Sequence, residues 1–521
     1  MLGSFKPTSA RSKRDGANKS HERLARALEL LRELAPAGLT SLGVFLLVGW
    51  FNGRRMIFNA DRDEGYALIQ ALLVRRGHPL YTETWSDQPP GYTWMLAAWT
   101  RLFGESPELA RLTTALFLAA FAFMCFELSR RAFKGVAGFV GGAACVAALL
   151  LQNEMFYFGA AAMVSLPALL CMGLSWAVSA RCSSRFTGSV AGVVMGFALA
   201  IKPLGAPAVP GILAGLCIWT FLRTRSARQS FEALAVMMAA ALLTAALFGW
   251  PVFLRDGGYT VYQTHHVRAG GWPGLDALEG FYRADRWLFG AAAIGWGVLV
   301  ARRRVEAVPL GLWIVLGGVA LARYEPIWNH HRYLLLIPAA ALGGLGLGAA
   351  LELALQKKSW LRYTGAVCVL AICVLVVVAF PTSRFKQVKQ AFNTKASPEH
   401  VVVQRVRQSV PDARRMVTSR QMYAYRLELD VPPSQAVTSR KRFQRWKLSS
   451  QELAATSLQF DPDVVALDDR WPASAVRKIR HALRESHVVL HQKGREIVLA
   501  RKTMVSPGSQ RERGVASSQK W

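Results

Sequence analysis

The stretch Phe58-Asn-Ala-Asp-Arg-Asp-Glu-Gly-Tyr66 lies between two apolar segments and carries the carboxylates of Asp61, Asp63 and Glu64. The apolar segments cover about residues 36–51 and 108–128, and both have the composition of a membrane helix. Charge at a membrane boundary is unfavourable unless it is solvated, paired or used by the protein. The three carboxylates are therefore candidates for an active site.

The chain as a whole has the composition of a membrane protein. Its 521 residues are 52% hydrophobic and 18% charged, and the mean hydropathy is +0.22. Within one segment, only a helix satisfies all the backbone polar groups in lipid. We therefore predict an α-helical polytopic membrane protein with about eleven transmembrane helices, near residues 36–51, 108–128, 136–152, 155–179, 187–201, 204–223, 230–254, 286–301, 306–323, 333–354 and 361–380. The predicted membrane domain thus covers residues 35–380.

After residue 380 the sequence becomes polar and contains no further spanning run. Short β-like runs alternate there with helical patterns, which predicts a small soluble α/β domain over residues 381–505. The expected strands cover residues 401–403, 415–417, 463–467, 487–490 and 496–500, and a helix is expected over residues 473–485. Residues 1–34 are predicted to form a basic cytosolic tail, and residues 506–521 a disordered tail.

The formal net charge of +30 does not favour nucleic-acid binding. Lys and Arg are concentrated in the tails and in alternate short loops, as expected from the positive-inside rule and from contact with membrane lipids. The alternation predicts a multi-pass protein of the cell membrane with a cytosolic N-terminus. It places the first loop, residues 52–107, and the C-terminal domain on the outer, extracytoplasmic face. The seven cysteines show no paired spacing, so no disulfide framework is predicted.

The first loop holds the strongest candidates for chemistry. A carboxylate such as Asp63 can act as general base on a hydroxyl, and carboxylate oxygens can also hold a divalent cation. Adjacent residues point apart in most backbone conformations, so Asp63 and Glu64 are not both expected to reach one substrate atom. The alternative is a solvated loop in which Arg62 balances the carboxylates. Helical patterns over residues 65–76 and 92–103 predict two helices along the membrane surface.

Further polar side chains of this loop could contact a substrate, namely Tyr66, Tyr81, Asp87 and Gln88. Each also has a simpler explanation. Tyrosines are common at membrane interfaces, and Asp87-Gln88 precedes a Pro-Pro pair that could merely start a helix.

Later outer loops add cations and a carboxylate. Lys202 could bind a lipid-linked phosphate, or it could be a lysine at a helix end whose ammonium group reaches the interface. The segment His330-His-Arg-Tyr333 could also bind phosphate. Adjacent histidines lack the ligand spacing of a zinc site, so no metal site is predicted. Three other candidates for substrate binding are Glu154, His265 and His266.

Taken together, these residues resemble the GT-C glycosyltransferases of the dolichyl-phosphate-mannose protein mannosyltransferase family, which includes bacterial aminoarabinose transferases. The resemblance extends through most of the chain in order. Its motifs are Asp63-Glu-Gly-Tyr66, Gly77-His-Pro-Leu-Tyr81, Gln88-Pro-Pro-Gly-Tyr92, Leu102-Phe-Gly104, Ala110-Arg-Leu112, Gly196 to Lys202, His331-Arg-Tyr333 with Pro338, and Pro462-Asp-Val-Val465.

The resemblance implies a polyprenyl-phosphate-linked sugar donor and transfer to a lipid, glycan or protein acceptor at the outer leaflet. It implies that Asp63 is the catalytic carboxylate with Glu64 beside it, and that the cations Lys202 and Arg332, with His331 and Tyr333, bind the donor phosphate. A divalent cation could assist but is not required, because the donor phosphate is already an activated leaving group. In this family a Lys often precedes the Pro-Pro pair. Here Gln88 stands in that place, so Lys202 or Arg332 would take over part of the contact.

Two other classes of protein share some of these features. A transporter or flippase of a lipid-linked precursor would have many spans and polar residues near the membrane, but it would more often show two related halves. A membrane scaffold would need an interaction motif in its soluble part, and residues 381–521 contain none that is specific. The long first loop favours an enzyme.

Overall fold

The computed structural model describes residues 25, 28–29, 33–52, 62–152, 155–159, 161–180, 185–253, 274–324, 327–356, 359–379, 398–439, 442–443 and 448–506. Most of both predicted tails lies outside these residues. Four of the candidate substrate contacts also lie outside them, namely Asp61, Glu154, His265 and His266.

A helix is present at each predicted span. Helix α1 covers Glu33–Asn52. The others are α4 (Pro107–Ala132), α5 (Gly135–Leu150), α7 (Ser165–Ser179), α8 (Arg185–Ile201), α9 (Val209–Thr224), α10 (Ala227–Phe253), α11 (Leu275–Ala301), α12 (Ala307–Ala322), α13 (Tyr333–Ala354) and α14 (Ser359–Ala379). Among the described residues, five helices are long and apolar enough to cross a membrane, and five more are apolar but shorter. The prediction of a polytopic helical protein is confirmed.

The span predicted over residues 155–179 is wrong in one respect, because the helix is interrupted. A short helix, α6 (Met155–Gly159), ends before residues 161–164, and α7 begins at Ser165. The hydroxyl of Thr114 donates to the backbone oxygen of Ala161 at 2.7 Å. Side chains from other helices thus replace the helical hydrogen bonds in this interruption, as a buried backbone requires.

The first loop contains the two predicted helices, α2 (Arg62–Arg75) and α3 (Pro90–Phe103), each starting a few residues early. Proline at the first position of α3 fits a helix start, where its missing N–H is no loss. Between the two helices, Tyr81 has a φ of +70° and its backbone N–H donates to Thr84 O at 2.8 Å. This tight turn returns the chain from α2 to α3.

The C-terminal domain is the predicted small α/β fold. Its strands are β1 (Met416–Thr418), β2 (Val464–Leu467), β3 (His487–Lys493) and β4 (Glu496–Arg501), in the spatial order β1-β2-β4-β3. Strands β1 and β2 are parallel, whereas β4 is antiparallel to both β2 and β3. Its helices are α15 (Pro398–Ser409), α16 (Gln421–Leu427), α17 (Ser450–Gln459) and α18 (Ala473–Leu483).

The strand predicted over residues 401–403 is wrong, since this segment belongs to helix α15. Val402, Val403, Val406 and Val410 are buried, and this spacing places them on one face of a helix. Three consecutive valines are typical of a strand. Over the whole segment, however, the buried valines repeat with the period of a helix.

Helices in the membrane domain approach closely through glycine. Gly295 of α11 lies against α13, where a Cβ added to it would be 2.4 Å from Leu342 O and 3.2 Å from the Cα of Gly346. Between lipid-embedded helices, small residues allow the backbone contact that stabilises the pair. No heavy atom lies within 4 Å of a Cβ added to Gly297, two residues further along α11.

The C-terminal domain lies on the helices of the first loop. The backbone N of Met422 is 3.1 Å from the position of a Cβ on Gly65, and Arg426 donates to Glu108 at 3.0 Å. The backbone N–H of Trp85 donates to Pro433 O at 3.2 Å. The start of α2, the turn before α3 and the start of α4 are therefore all held by one domain.

We predict opposite effects of alanine at the two glycines of α11. Gly295→Ala should lower the free energy of unfolding by about 1–3 kcal/mol, because the new methyl group meets backbone atoms of α13. Gly297→Ala should stabilise the helix by about 0.5–1 kcal/mol, because it meets open space. The check is thermal unfolding of the two purified variants in the same detergent. Equal melting temperatures of the Gly295→Ala and Gly297→Ala variants would contradict the close contact of α11 and α13.

Candidate active site

The first loop is attached to the membrane helices by a buried ion pair between Glu64 of α2 and Arg111 of α4. Arg111 donates from Nε to Glu64 Oε1 at 2.7 Å and from Nη2 to Oε2 at 2.9 Å. Both side chains have a relative accessibility of 0%. The backbone N–H of Ala162 donates to Glu64 Oε1 at 3.0 Å. Such paired and hydrogen-bonded geometry is what a buried carboxylate needs to remain charged.

The ion pair continues into a chain of polar groups. Asn52, at the end of α1, accepts from Arg111 Nη1 at 3.4 Å and donates to Glu108 O at 2.9 Å. The carboxylate of Glu108 is 3.8 Å from Arg111 and accepts from Arg426 of the C-terminal domain at 3.0 Å. One connected set of charged and polar groups therefore joins α1, α2, α4, the interruption before α7 and the soluble domain.

The two adjacent acids of the first loop have different surroundings. Glu64 is engaged in the ion pair, whereas Asp63 is half-buried in the first turn of α2. Successive side chains on a helix are about 100° apart, so the two carboxylates point to different sides. The helix N-terminus also favours an ionised carboxylate at Asp63. Of the two, Asp63 has the surroundings of a base that could meet a substrate.

The segment Met155–Ser165 touches three of the predicted groups. Near its end, Ala162 donates to Glu64 and Ser165 accepts from the ammonium group of Lys202 at 2.8 Å. Earlier in the segment, the ring of Phe158 lies 6.2 Å from that of His330 and 5.9 Å from that of Tyr333, edge to face. The first loop, Lys202 and the histidine segment thus meet at this interruption.

Lys202 lies next to the Pro-Pro motif. Gly91 packs against the end of α8, so closely that a Cβ on it would be 2.7 Å from Ala200 O. Lys202 follows two residues later and is 7% exposed. The explanation as a lysine that extends its ammonium group to the interface does not fit this burial.

Gln88, which directly precedes the Pro-Pro pair, is held by contacts within the turn before α3. The hydroxyl of Tyr81 donates to Gln88 O at 2.7 Å. The side-chain oxygen Oε1 of Gln88 is buried, and no described residue donates a hydrogen bond to it. A buried acceptor without a donor is costly, so this oxygen is suited to a ligand hydroxyl or a bound water.

The C-terminal domain brings a cation to the same turn. The guanidinium carbon of Arg442 lies 4.4 Å from the ring centroid of Trp85, and Arg442 Nη1 donates to Val437 O at 2.8 Å. Burial lowers the pKa of Arg442 to about 10, and the nearby carboxylates of Glu452 and Asp87 counteract this. The guanidinium group is therefore still charged at neutral pH.

The histidine segment forms a short 3-10 helix, Asn329–Arg332, before α13. His330, His331, Arg332 and Tyr333 are all buried. The Nδ1 atom of His331 accepts from the backbone N–H of Trp328 at 3.4 Å, so a neutral ring would carry its proton on Nε2. The guanidinium carbon of Arg332 is 5.5 Å from the ring centroid of Tyr333.

Contacts through the segment Met155–Ser165 link Glu64, Lys202 and the histidine segment, and Gly91 brings the turn before α3 beside Lys202. The side chain of Tyr66 is buried. In the part of the chain that the structure describes, no group of three His, Cys, Asp or Glu residues could hold a metal ion.

Three buried polar residues were not among the candidate site residues predicted from the sequence, although Arg111 belongs to one of the motifs. Arg111 and Asp285 are buried charged residues in apolar helices, and a charge inside an apolar run is itself a signal. Asp285 was assigned to a loop because α11 was predicted to begin at residue 286; the helix begins at Leu275 and has non-helical angles at Asp285. No local sequence pattern indicates a role for Arg442, because its contact with Trp85 joins distant parts of the chain.

Comparison with known proteins identifies the fold. Residues 87–250 match the family model described as dolichyl-phosphate-mannose-protein mannosyltransferase. The structure of ArnT from Cupriavidus metallidurans bound to undecaprenyl phosphate is 14% identical, with a TM-score of 0.61 over 90% of this chain and 99% of that chain. The apo state of the same protein is 17% identical, with a TM-score of 0.61 over 90% and 98%. No curated protein sequence matches. The predicted GT-C fold is confirmed.

We predict that Glu64 is needed for folding. Glu64→Gln should lower the free energy of unfolding by about 3–5 kcal/mol, because it leaves the guanidinium group of Arg111 buried without its counter-charge. Glu279→Gln is the matched control, since it removes the acid of an exposed pair with Arg283 and should change stability by less than about 1 kcal/mol. Thermal unfolding in detergent is the measurement. A Glu64→Gln variant as stable as the control would show that the ion pair is dispensable.

Proposed function

We propose that this multi-pass GT-C membrane protein is a glycosyltransferase that moves a sugar from a polyprenyl-phosphate-linked donor to an acceptor at the outer face. The fold and the family match over residues 87–250 support the enzyme class. The ArnT structure binds undecaprenyl phosphate, which supports the donor class. The acceptor is a lipid, a glycan or a protein.

The observation that carries the proposal is the meeting of a carboxylate and an ammonium group at one short segment. Glu64, beside Asp63, accepts from Ala162, and Lys202 donates to Ser165. Transfer of a sugar from a phosphate needs a base at the attacking hydroxyl and a cation at the leaving phosphate. We assign the role of the base to Asp63, which adjoins Glu64 in the first turn of α2, and the role of the cation to Lys202.

The reaction is a single displacement. The acceptor hydroxyl approaches Asp63, which takes its proton as the new bond to the anomeric carbon forms. The bond between that carbon and the phosphate oxygen breaks at the same time, and its electron pair leaves with the polyprenyl phosphate. Lys202 stabilises the negative charge that develops on this leaving group, with Arg332 and His331 as further donors. Attack opposite the leaving group inverts the anomeric carbon.

The turn before α3 orients the sugar. A sugar hydroxyl donates to the buried Oε1 of Gln88, whose backbone is fixed by Tyr81. A neutral amide at this position replaces the lysine common in the family, so the cationic contact with the phosphate passes to Lys202. Since Lys202 provides the cation, the step does not require a divalent metal.

Asp63→Asn is the direct test. It should reduce transfer from a labelled polyprenyl-phosphate sugar by at least about 10²-fold, because an amide cannot accept the hydroxyl proton. The variant should still fold, since Glu64 keeps the ion pair with Arg111, and its thermal unfolding checks this. The matched control is Asp276→Asn, which alters an exposed carboxylate in the first turn of α11.

The assay compares native protein and both variants in the same lipid vesicles. Full activity of a normally folded Asp63→Asn variant would remove Asp63 from the mechanism. Loss of activity in both Asp63→Asn and Asp276→Asn would show that the loss of transfer is not specific to the Asp63 carboxylate.

A further inference from the structure

The turn between α11 and α12 contains three consecutive arginines, and we name residues Ala301–Arg304 the arginine turn. Arg304 Nη2 donates to Ala132 O at 2.6 Å, at the C-terminal end of α4. At the other end of α4, Glu108 pairs with Arg426 of the soluble domain. A helix of 26 residues is about 39 Å long, so the arginine turn lies on the membrane face opposite the soluble domain.

The arginine turn lines an open cavity of about 450 Å³. This volume is sufficient for the phosphate group of a lipid together with its water. Ala301, Arg302, Arg303 and Arg304 form its wall, so the groups around it are cationic.

The charges of the arginine turn are only partly balanced. Glu352 of α13 is 2.5 Å from Arg302 and 4.0 Å from Arg304, so one carboxylate serves two arginines. Arg303 is exposed and forms no ion pair within the described part of the chain. The next carboxylate, Glu306, lies at the N-terminus of α12, where the helix dipole offsets its charge. The cavity therefore keeps an excess of positive charge.

The backbone at Arg303 has a φ of +53°. This left-handed conformation closes α11, with the N–H of Arg303 donating to Val300 O at 2.8 Å. Glycine or asparagine usually occupies such a position, because a larger side chain makes the conformation less favourable. An arginine there adds an exposed cation at the edge of the cavity, at a cost to the backbone.

The surface next to the cavity is that of a lipid-facing helix. Trp296 and Val300 lie within two turns before the arginines on α11 and are 46% and 45% exposed. Trp360 and Tyr363 are exposed at the start of α14, the helix that follows Glu352 and α13. Aromatic residues of this kind mark the level of the lipid headgroups. An amphiphile at the arginine turn would have its charge at that level and its chain along Trp296.

We propose that the arginine turn binds the phosphate of an anionic phospholipid, with an acyl chain against Trp296 and Val300. Arg303 supplies the unbalanced charge, while Arg302 and Arg304, which pair with Glu352, complete the wall of the cavity. The site is distinct from the candidate active site, being about one membrane thickness away, and it does not depend on the proposed transferase activity.

The test is lipid binding by the purified full-length chain, measured by native mass spectrometry. The protein is titrated with phosphatidylglycerol and, separately, with phosphatidylcholine. Arg303→Gln should bind phosphatidylglycerol roughly tenfold more weakly than the native chain, because it loses a charge-assisted contact. The control Arg225→Gln removes an equally exposed arginine that also has a left-handed backbone, at the end of α9, and should bind like the native chain.

Equal weakening in Arg303→Gln and Arg225→Gln would overturn the proposal, since general surface charge would then explain binding. Equal binding of phosphatidylcholine and phosphatidylglycerol would overturn it as well. A third arm adds inorganic phosphate at millimolar concentration: displacement of the lipid would show a site for free phosphate and contradict the lipid assignment. Melting temperatures of both variants are measured in parallel and should match the native value.

Discussion

The ion pair between Glu64 and Arg111 is the constraint on which the rest of the candidate site depends. Removing two charges from water costs several kcal/mol for each ion, and only good geometry with further hydrogen bonds offsets that cost. Here the guanidinium group binds both carboxylate oxygens, and Ala162 and Asn52 add further contacts. Any packing of α2 and α4 that separates Glu64 from Arg111 leaves a buried charge without its partner. The pair therefore fixes α2 against α4 and, with it, the direction of Asp63.

The interruption before α7 and the soluble domain complete the site from two sides. On the membrane side, the segment Met155–Ser165 contacts Glu64, Lys202 and the rings of the histidine segment. On the other side, Arg426 binds the start of α4, and Arg442 contacts Trp85 in the turn before α3. Residues that are far apart in sequence thus surround one boundary region.

Much of this architecture could be predicted from the sequence, because apolar composition alone marks a helix in lipid. The spans and most strands of the soluble domain follow from local patterns. The prediction of a strand at Val402 and Val403 was wrong because three consecutive valines fit a strand as well as a helix. The role of Glu64 could not be predicted in this way. It depends on Arg111, which lies on another helix, just as the burial of Lys202 depends on Ser165. Such contacts arise only when distant helices pack together.

The most direct test of this account is a cryo-electron microscopy structure with a polyprenyl-phosphonate sugar, a donor analogue that cannot transfer its sugar. We expect the phosphonate within hydrogen-bonding distance of Lys202, the anomeric carbon facing Asp63, and Glu64 still paired with Arg111. A phosphonate bound away from Lys202, or a sugar that faces Glu64 with Arg111 displaced, would contradict the account.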